Sequence, residues 1–146
     1  MRFYEFLAAQ NAKRGERTLN AAGAIERFRG LANELYSKIE TEWLRDAKEK
    51  KLVTTGREPY SITEEQLGTY SVDAMWIDIA GNRISIIPVG TILIGTDARF
   101  DLVYCGKERM VIHVQNEWRL VNRANRLTYR PLDAMTFQQV IMDLMK

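Results

Sequence analysis

Between Thr18 and Lys51 the chain holds one helical pattern, and its length is the strongest constraint on what the chain can fold into. Ala22, Ile25, Phe28, Ala32, Leu35, Tyr36, Ile39, Trp43 and Ala47 recur mostly at steps of three and four, the period of a helix with one apolar face. Glu34 with Lys38, and Arg45 with Glu49, stand four apart on the outer side, where opposite charges support a helix. Such a helix is roughly 50 Å long at about 1.5 Å per residue. A compact domain of this chain length is roughly 38 Å across. The helix should therefore overhang, bend or meet a partner, unless Gly23 or Gly30 splits it. A heptad begun at Ile25 and Phe28 runs through Ala32, Leu35 and Ile39, then meets Glu42 and Asp46. The apolar stripe moves instead to Trp43 and Ala47, the drift of a straight helix packed on a sheet. Ahead of it, Phe3, Phe6, Leu7 and Gln10 fit a separate short amphipathic helix ending near Gly15.

Beyond residue 52 the periodicity changes. Thr54, Thr55, Gly56 and Pro59 predict a loop. Thr63-Glu64-Glu65-Gln66 has capping-box spacing with Gly68 behind it, which predicts one helical turn. From Tyr70 to Val121 the chain reads as strands. Tyr70–Ile79 places Val72, Ala74 and Trp76 on one face and Met75, Ile77 and Ile79 on the other. Turns are expected at Gly81-Asn82 and at Gly106-Lys107, with further strands at Arg83–Val89, Thr91–Ile94, Arg99–Tyr104 and Arg109–Val114, and Asn116-Glu117 leads into Trp118–Val121. Pro88 marks an edge or a bulge. Apolar residues on both faces of several strands predict a sheet covered on both sides, or one with a face left for a partner. Thr136-Phe137-Gln138-Gln139 reads as a capping box opening a terminal helix whose face is Phe137, Val140, Ile141, Leu144 and Met145.

The expected fold is therefore α+β: a long N-terminal helix packed on an antiparallel β-meander of about five to six strands, closed by a short C-terminal helix. One domain spans 1–146, with a helical part over 1–52, the sheet over 69–130 and the last helix over 136–146. Its length of 146 residues and 46% hydrophobic content are enough for a core without disulfides or metals. A formal net charge of +2 is far from the basic excess of a dedicated nucleic-acid binder. The single cysteine, Cys105, suits a reducing compartment. Glu5, and then Lys13 and Arg14, interrupt the apolar start too soon for a secretory signal. No run reaches the roughly 20 apolar residues of a membrane span. The expectation is a cytoplasmic protein.

Candidate chemistry is sparse. Cys105 and His113, the one thiol and the one imidazole, fall on opposite strands of one hairpin. The expected turn at Gly106-Lys107 sets His113 opposite Phe100, roughly 16 Å from the thiol at about 3.3 Å per residue. A nucleophile and its base need about 3 Å, so no dyad is expected. One His and one Cys also fall short of the usual zinc ligand sets. Asp97 and Asp101 flank Arg99, a carboxylate group that suits an enzyme site or a surface ion pair. Ala98–Val103, a turn, then Met110–Gln115 resembles the hairpin of the restriction-endonuclease-like (PD-(D/E)xK) nucleases over under a fifth of the chain. The resemblance implies a magnesium ligand at Asp101, while His113 and Gln115 stand where that family has Glu and Lys. Arg119, Arg123, Arg126 and Arg130 recur at steps of four, three and four, with Asn122, Asn125, Trp118 and Tyr129 among them. On a helix these arginines would share a face and follow phosphates.

No catalytic residue, metal or cofactor is expected. The favoured function is a non-catalytic binding or accessory protein acting through protein–protein contacts, in one form a homodimer through the long helix, with Tyr36 and Trp43 as contact residues. The alternatives are a nucleic-acid-binding factor using Arg119–Arg130, and an enzyme with a carboxylate site at Asp97, Arg99 and Asp101.

Overall fold

A computed structural model describes residues 2–91, 97–122, 124–125 and 128–146, with side chains left out at 13–20. The α1 helix runs without a break over Arg2–Lys38, so the expected short helix and the first part of the main one are a single element. Gly23 and Gly30 lie on its exposed side. A π-helical turn at Ile39–Trp43 follows, closed by Leu44 N donating to Ile39 O at 2.8 Å, and α2 covers Arg45–Glu49. The turn's extra residue shifts the apolar stripe, so Ile39, Trp43 and Leu44 are all buried. A Schellman cap ends the helical part: Leu52 N donates to Ala47 O, Lys51 N to Lys48 O, and Lys51 adopts φ 60.

Among the described residues, seven strands then form one antiparallel sheet in sequence order. They are β1 Val53–Glu64, β2 Gly68–Ile79, β3 Asn82–Gly90, β4 Ala98–Tyr104, β5 Lys107–Val114, β6 Glu117–Val121 and β7 Tyr129–Pro131. The first corrects the expected loop at 54–59 and the expected helical turn at 63–66: both belong to β1 and the hairpin after it. Pro59 is tolerated because β1 is an edge strand. The expected strand at Thr91–Ile94 lies mostly outside the described residues.

Three two-residue turns set the central register, and the first two sit one residue earlier than expected. Ala80-Gly81, Cys105-Gly106 and Gln115-Asn116 all have positive φ at both positions, the geometry that matches the twist of a tight hairpin. Glycine takes the second place in two of them, not the first. The shift puts His113 opposite Ala98 rather than Phe100.

The core lies between α1 and one face of the sheet. Phe28, Leu31, Ala32, Leu35, Tyr36 and Ile39 meet Met75, Ile77, Ile84, Ile86, Phe100, Leu102, Val111, Trp118 and Leu120. Phe100 is its centre, with Phe28, Tyr36 and Trp118 rings at 5.3, 6.0 and 5.8 Å. In β2 the buried positions change from even (Tyr70, Val72, Ala74) to odd (Met75, Ile77). Pairing with β3 ends at Met75–Ile86. Beyond it, β1 and β2 continue as a two-stranded ribbon, which twists more freely than a wide sheet and buries its other face.

α3 covers Ala134–Leu144, two residues earlier than expected. Its cap is Asp133, whose carboxylate accepts from Thr136 N at 2.8 Å, rather than Thr136 itself. Phe137, Val140, Ile141 and Leu144 are buried, and Phe137 packs on Trp43 at 5.3 Å.

Candidate functional site

Tyr36 and Trp43, expected to meet a partner, are core residues at 0% and 9% exposure. Tyr36 donates from its hydroxyl to Asp73 O at 2.6 Å, and the Arg57 guanidinium lies over its ring. Burial, then the nearby Asp73 carboxylate, pushes its hydroxyl pKa up. The helical stripe could not tell a sheltered aromatic from one offered to a partner, because both keep the same period.

The exposed apolar surface of the helix lies at its other end. Phe3, Tyr4, Phe6 and Leu7 are 65, 74, 58 and 41% exposed. Every residue from 2 to 12 is exposed, and among the residues whose side chains are described Ile25 is the first of the helix to pack against the core. From Arg2 to Ala24 the rise is roughly 35 Å. The start of the helix, residues 2–12, therefore stands exposed, and the π-helical turn interrupts its other end. Phe3 and Tyr4 rings meet edge to face at 5.7 Å.

The three residues of the expected carboxylate site separate. Asp97 turns to the helix side, where Oδ2 is 3.0 Å from His113 Nδ1 and Oδ1 accepts from Arg27 at 3.0 Å. Asp97 N also donates to His113 O at 2.8 Å. His113 is 4% exposed and lies against the Trp118 ring. The indole nitrogen of Trp118 in turn donates to Glu34 at 3.4 Å. This chain of contacts fastens α1 to β4, β5 and β6. Arg99 and Asp101 stay together on the far face, joined by two bonds of 3.1 and 3.2 Å. They line a 330 Å³ hollow with Lys107, Glu108, Met110 and Asn122.

Cys105 sits in a turn and His113 is six pairs along the ladder from Lys107, about 20 Å away. Asp101 and His113 lie on opposite faces, so the hairpin does not gather the ligands that the nuclease resemblance implies. Among the described residues, no group of three or more His, Cys, Asp or Glu is placed to hold a metal ion. No described helix is long and apolar enough to cross a membrane.

The two ends of the arginine segment lie on strands, Arg119 on β6 and Arg130 on β7. Arg119 faces away from the core, bonded to Glu117 at 3.0 Å and stacked on Tyr129 at 4.3 Å. Arg130 pairs with Leu120 and so takes the opposite face. Arg123 and Arg126 lie outside the described residues.

One polar cluster had no signal in the sequence beyond its turn residues. Glu64, 9% exposed, accepts from the Tyr70 hydroxyl and from Thr91 N at 2.8 Å. Gly90, at φ 153, leaves room for this carboxylate, which a side chain there would overlap. Burial, then the bond to Glu64, pushes the Tyr70 pKa up. The contact needs the β3 bulge between Pro88 and Gly90, which brings Thr91 to the β1–β2 ribbon.

The chain matches no protein-family model, no curated protein and no solved structure.

Proposed function

We propose that this chain is a non-catalytic binding protein that acts through protein–protein contacts, with the exposed start of α1 as its contact element. The observation that carries this is the exposure of Phe3, Tyr4, Phe6 and Leu7 at the start of a helix whose residues 2–12 are all exposed. Single exposed apolar residues are ordinary, but a group of four within five positions marks an interaction surface. An amphipathic helix supplies anchors at steps of three and four to a partner's groove. The separation of Asp97 from Arg99 and Asp101 supports the non-catalytic reading over an enzyme at that place. A cytoplasmic setting fits the exposed thiol of Cys105.

The homodimer is the concrete form to test first. Sedimentation at high micromolar concentration should show a dimer for the full chain. It should show a monomer for the triple variant Phe3→Ser, Phe6→Ser, Leu7→Ser, with the same unfolding midpoint per protomer at low concentration. A monomer in both moves the reading to a different protein partner, sought by affinity capture from native cells with nuclease present. A capture that the triple variant leaves intact would overturn the assignment of the contact element.

A further inference from the structure

The 330 Å³ hollow on the face of the sheet away from α1 is built on the β4–β5 hairpin. Asp101 stands opposite Met110 and Val103 opposite Glu108, so Asp101, Met110 and Glu108 leave the same face. Glu108 and Asp101 are diagonal neighbours across the two strands, about 7–8 Å apart. The register of β5 on β6 carries on past Val111 and Leu120, which sets Val121 beside Met110 as an apolar floor. Arg99 lies two residues before Asp101 and shares its face. Its guanidinium reaches along the strand to that carboxylate, with Nε donating to Oδ1 at 3.2 Å and Nη2 to Oδ2 at 3.1 Å. Both side chains are mostly sheltered, at 22% and 14% exposure. These bonds use two of the five N–H groups of a guanidinium and fix its plane. The edge between Nη1 and Nη2 remains as a fork, the geometry that takes two carboxylate oxygens.

Glu108 supplies the second charge of the hollow and is exposed. Lys107 does not neutralise it: that residue stands opposite Tyr104, and its Nζ donates to Lys146 O at 2.9 Å. A simple anion would meet Asp101 and Glu108 as well as Arg99, so the charges favour a ligand that carries both signs. Asn122 adds a donor at the rim: its side-chain oxygen accepts from Ala124 N at 3.0 Å, which leaves its amide NH2. The volume is at the small end of ligand sites. From these observations we propose that the hollow binds a small zwitterion of the amino-acid class, with its carboxylate on the Arg99 fork, its ammonium at Glu108 and an apolar side chain on Met110 and Val121.

Calorimetric titration of the full chain at constant ionic strength tests this, with leucine, 4-methylpentanoate and 3-methylbutylamine as probes. The last two each keep the apolar group and one charged end. Saturable binding of one leucine per chain is expected, with both analogues at least tenfold weaker. Arg99→Lys, which keeps the charge and loses the fork, should weaken leucine at least tenfold. Glu108→Gln, at an exposed position, should weaken leucine by a similar factor without weakening 4-methylpentanoate. Arg130→Met, on the other face of the sheet, should leave every probe unchanged. The proposal is overturned if leucine does not saturate, or if either single-charge analogue binds as tightly as leucine. It is also overturned if Arg99→Lys or Glu108→Gln binds leucine as the parent does.

Discussion

His113 Nδ1 and Asp97 Oδ2 lie 3.0 Å apart beneath α1, and the same carboxylate holds Arg27 of that helix. Asp97→Ala removes the partner of a nearly buried imidazole. A buried polar group left unsatisfied costs about 1–3 kcal/mol. Urea unfolding should show a loss in that range. Arg27→Ala, which breaks only the exposed arm of the contact, should cost less than about 1 kcal/mol.

Gly56 stands opposite Trp76, and the indole lies where a Cβ at Gly56 would be. The Arg83 guanidinium covers the same ring at 4.2 Å. Gly56→Ala should destabilise by about 1–3 kcal/mol, the usual cost of overpacking. In a Trp76→Ala background the same change should be neutral or stabilising, since alanine suits a strand better than glycine. A double-mutant cycle measures the difference. Equal costs in both backgrounds would show that the ring does not sit on the glycine.

Tyr36 and Tyr70 set an alkaline limit on stability. Burial is the first cause of the raised pKa in both, with Asp73 and Glu64 as the respective carboxylate contributions. An unfolded tyrosine titrates near ~10. Above that pH the unfolded chain loses protons that the native chain keeps, so stability falls as pH rises, by up to about 1.4 kcal/mol per unit per tyrosine. Their contribution is fully present below pH ~10. Tyr70→Phe should flatten the decline between pH 10 and 11 in denaturant midpoints; an unchanged slope would remove Tyr70 as its source.

Lys51 closes the Schellman cap in a left-handed conformation that glycine adopts without strain. Lys51→Gly should stabilise by roughly 0.5–1 kcal/mol, or at least not destabilise. Lys51→Val should destabilise, because a β-branched residue resists positive φ. Thermal unfolding of the two variants checks the sign.

Much of this architecture was legible in the sequence. The stripe from Ile25 to Trp43 gave the central helix, and the alternation in β3, β4 and β5 gave the central strands. β1 was missed because only Val53, Ile62 and Glu64 are buried along its length. A mostly exposed edge ribbon has no apolar alternation, and Gly56 and Pro59 look like loop residues. The hairpin turns were misplaced by one residue because glycine can occupy either central position of a tight turn. That single step decides which residue faces His113. The apolar start of α1 was half legible: Phe3, Phe6 and Leu7 announced a helical face, but a period does not report whether anything shelters it. The Asp97 contact with His113 was hidden for the same reason as the register. The hollow at Arg99 and Glu108 depends on the same step, through the pairing of Glu108 with Val103.

The in-order sheet also has a consequence for how the molecule assembles. Every described strand pairs only with its neighbours in sequence, so each hairpin can close without waiting for distant chain. Low contact order of this kind favours rapid folding. The helix is the exception. Phe28, Tyr36 and Ile39 come before the strands that cover them. During synthesis their apolar face must wait, uncovered, until Phe100, Val111 and Leu120 have emerged. This interval is when the nascent chain is most prone to aggregate.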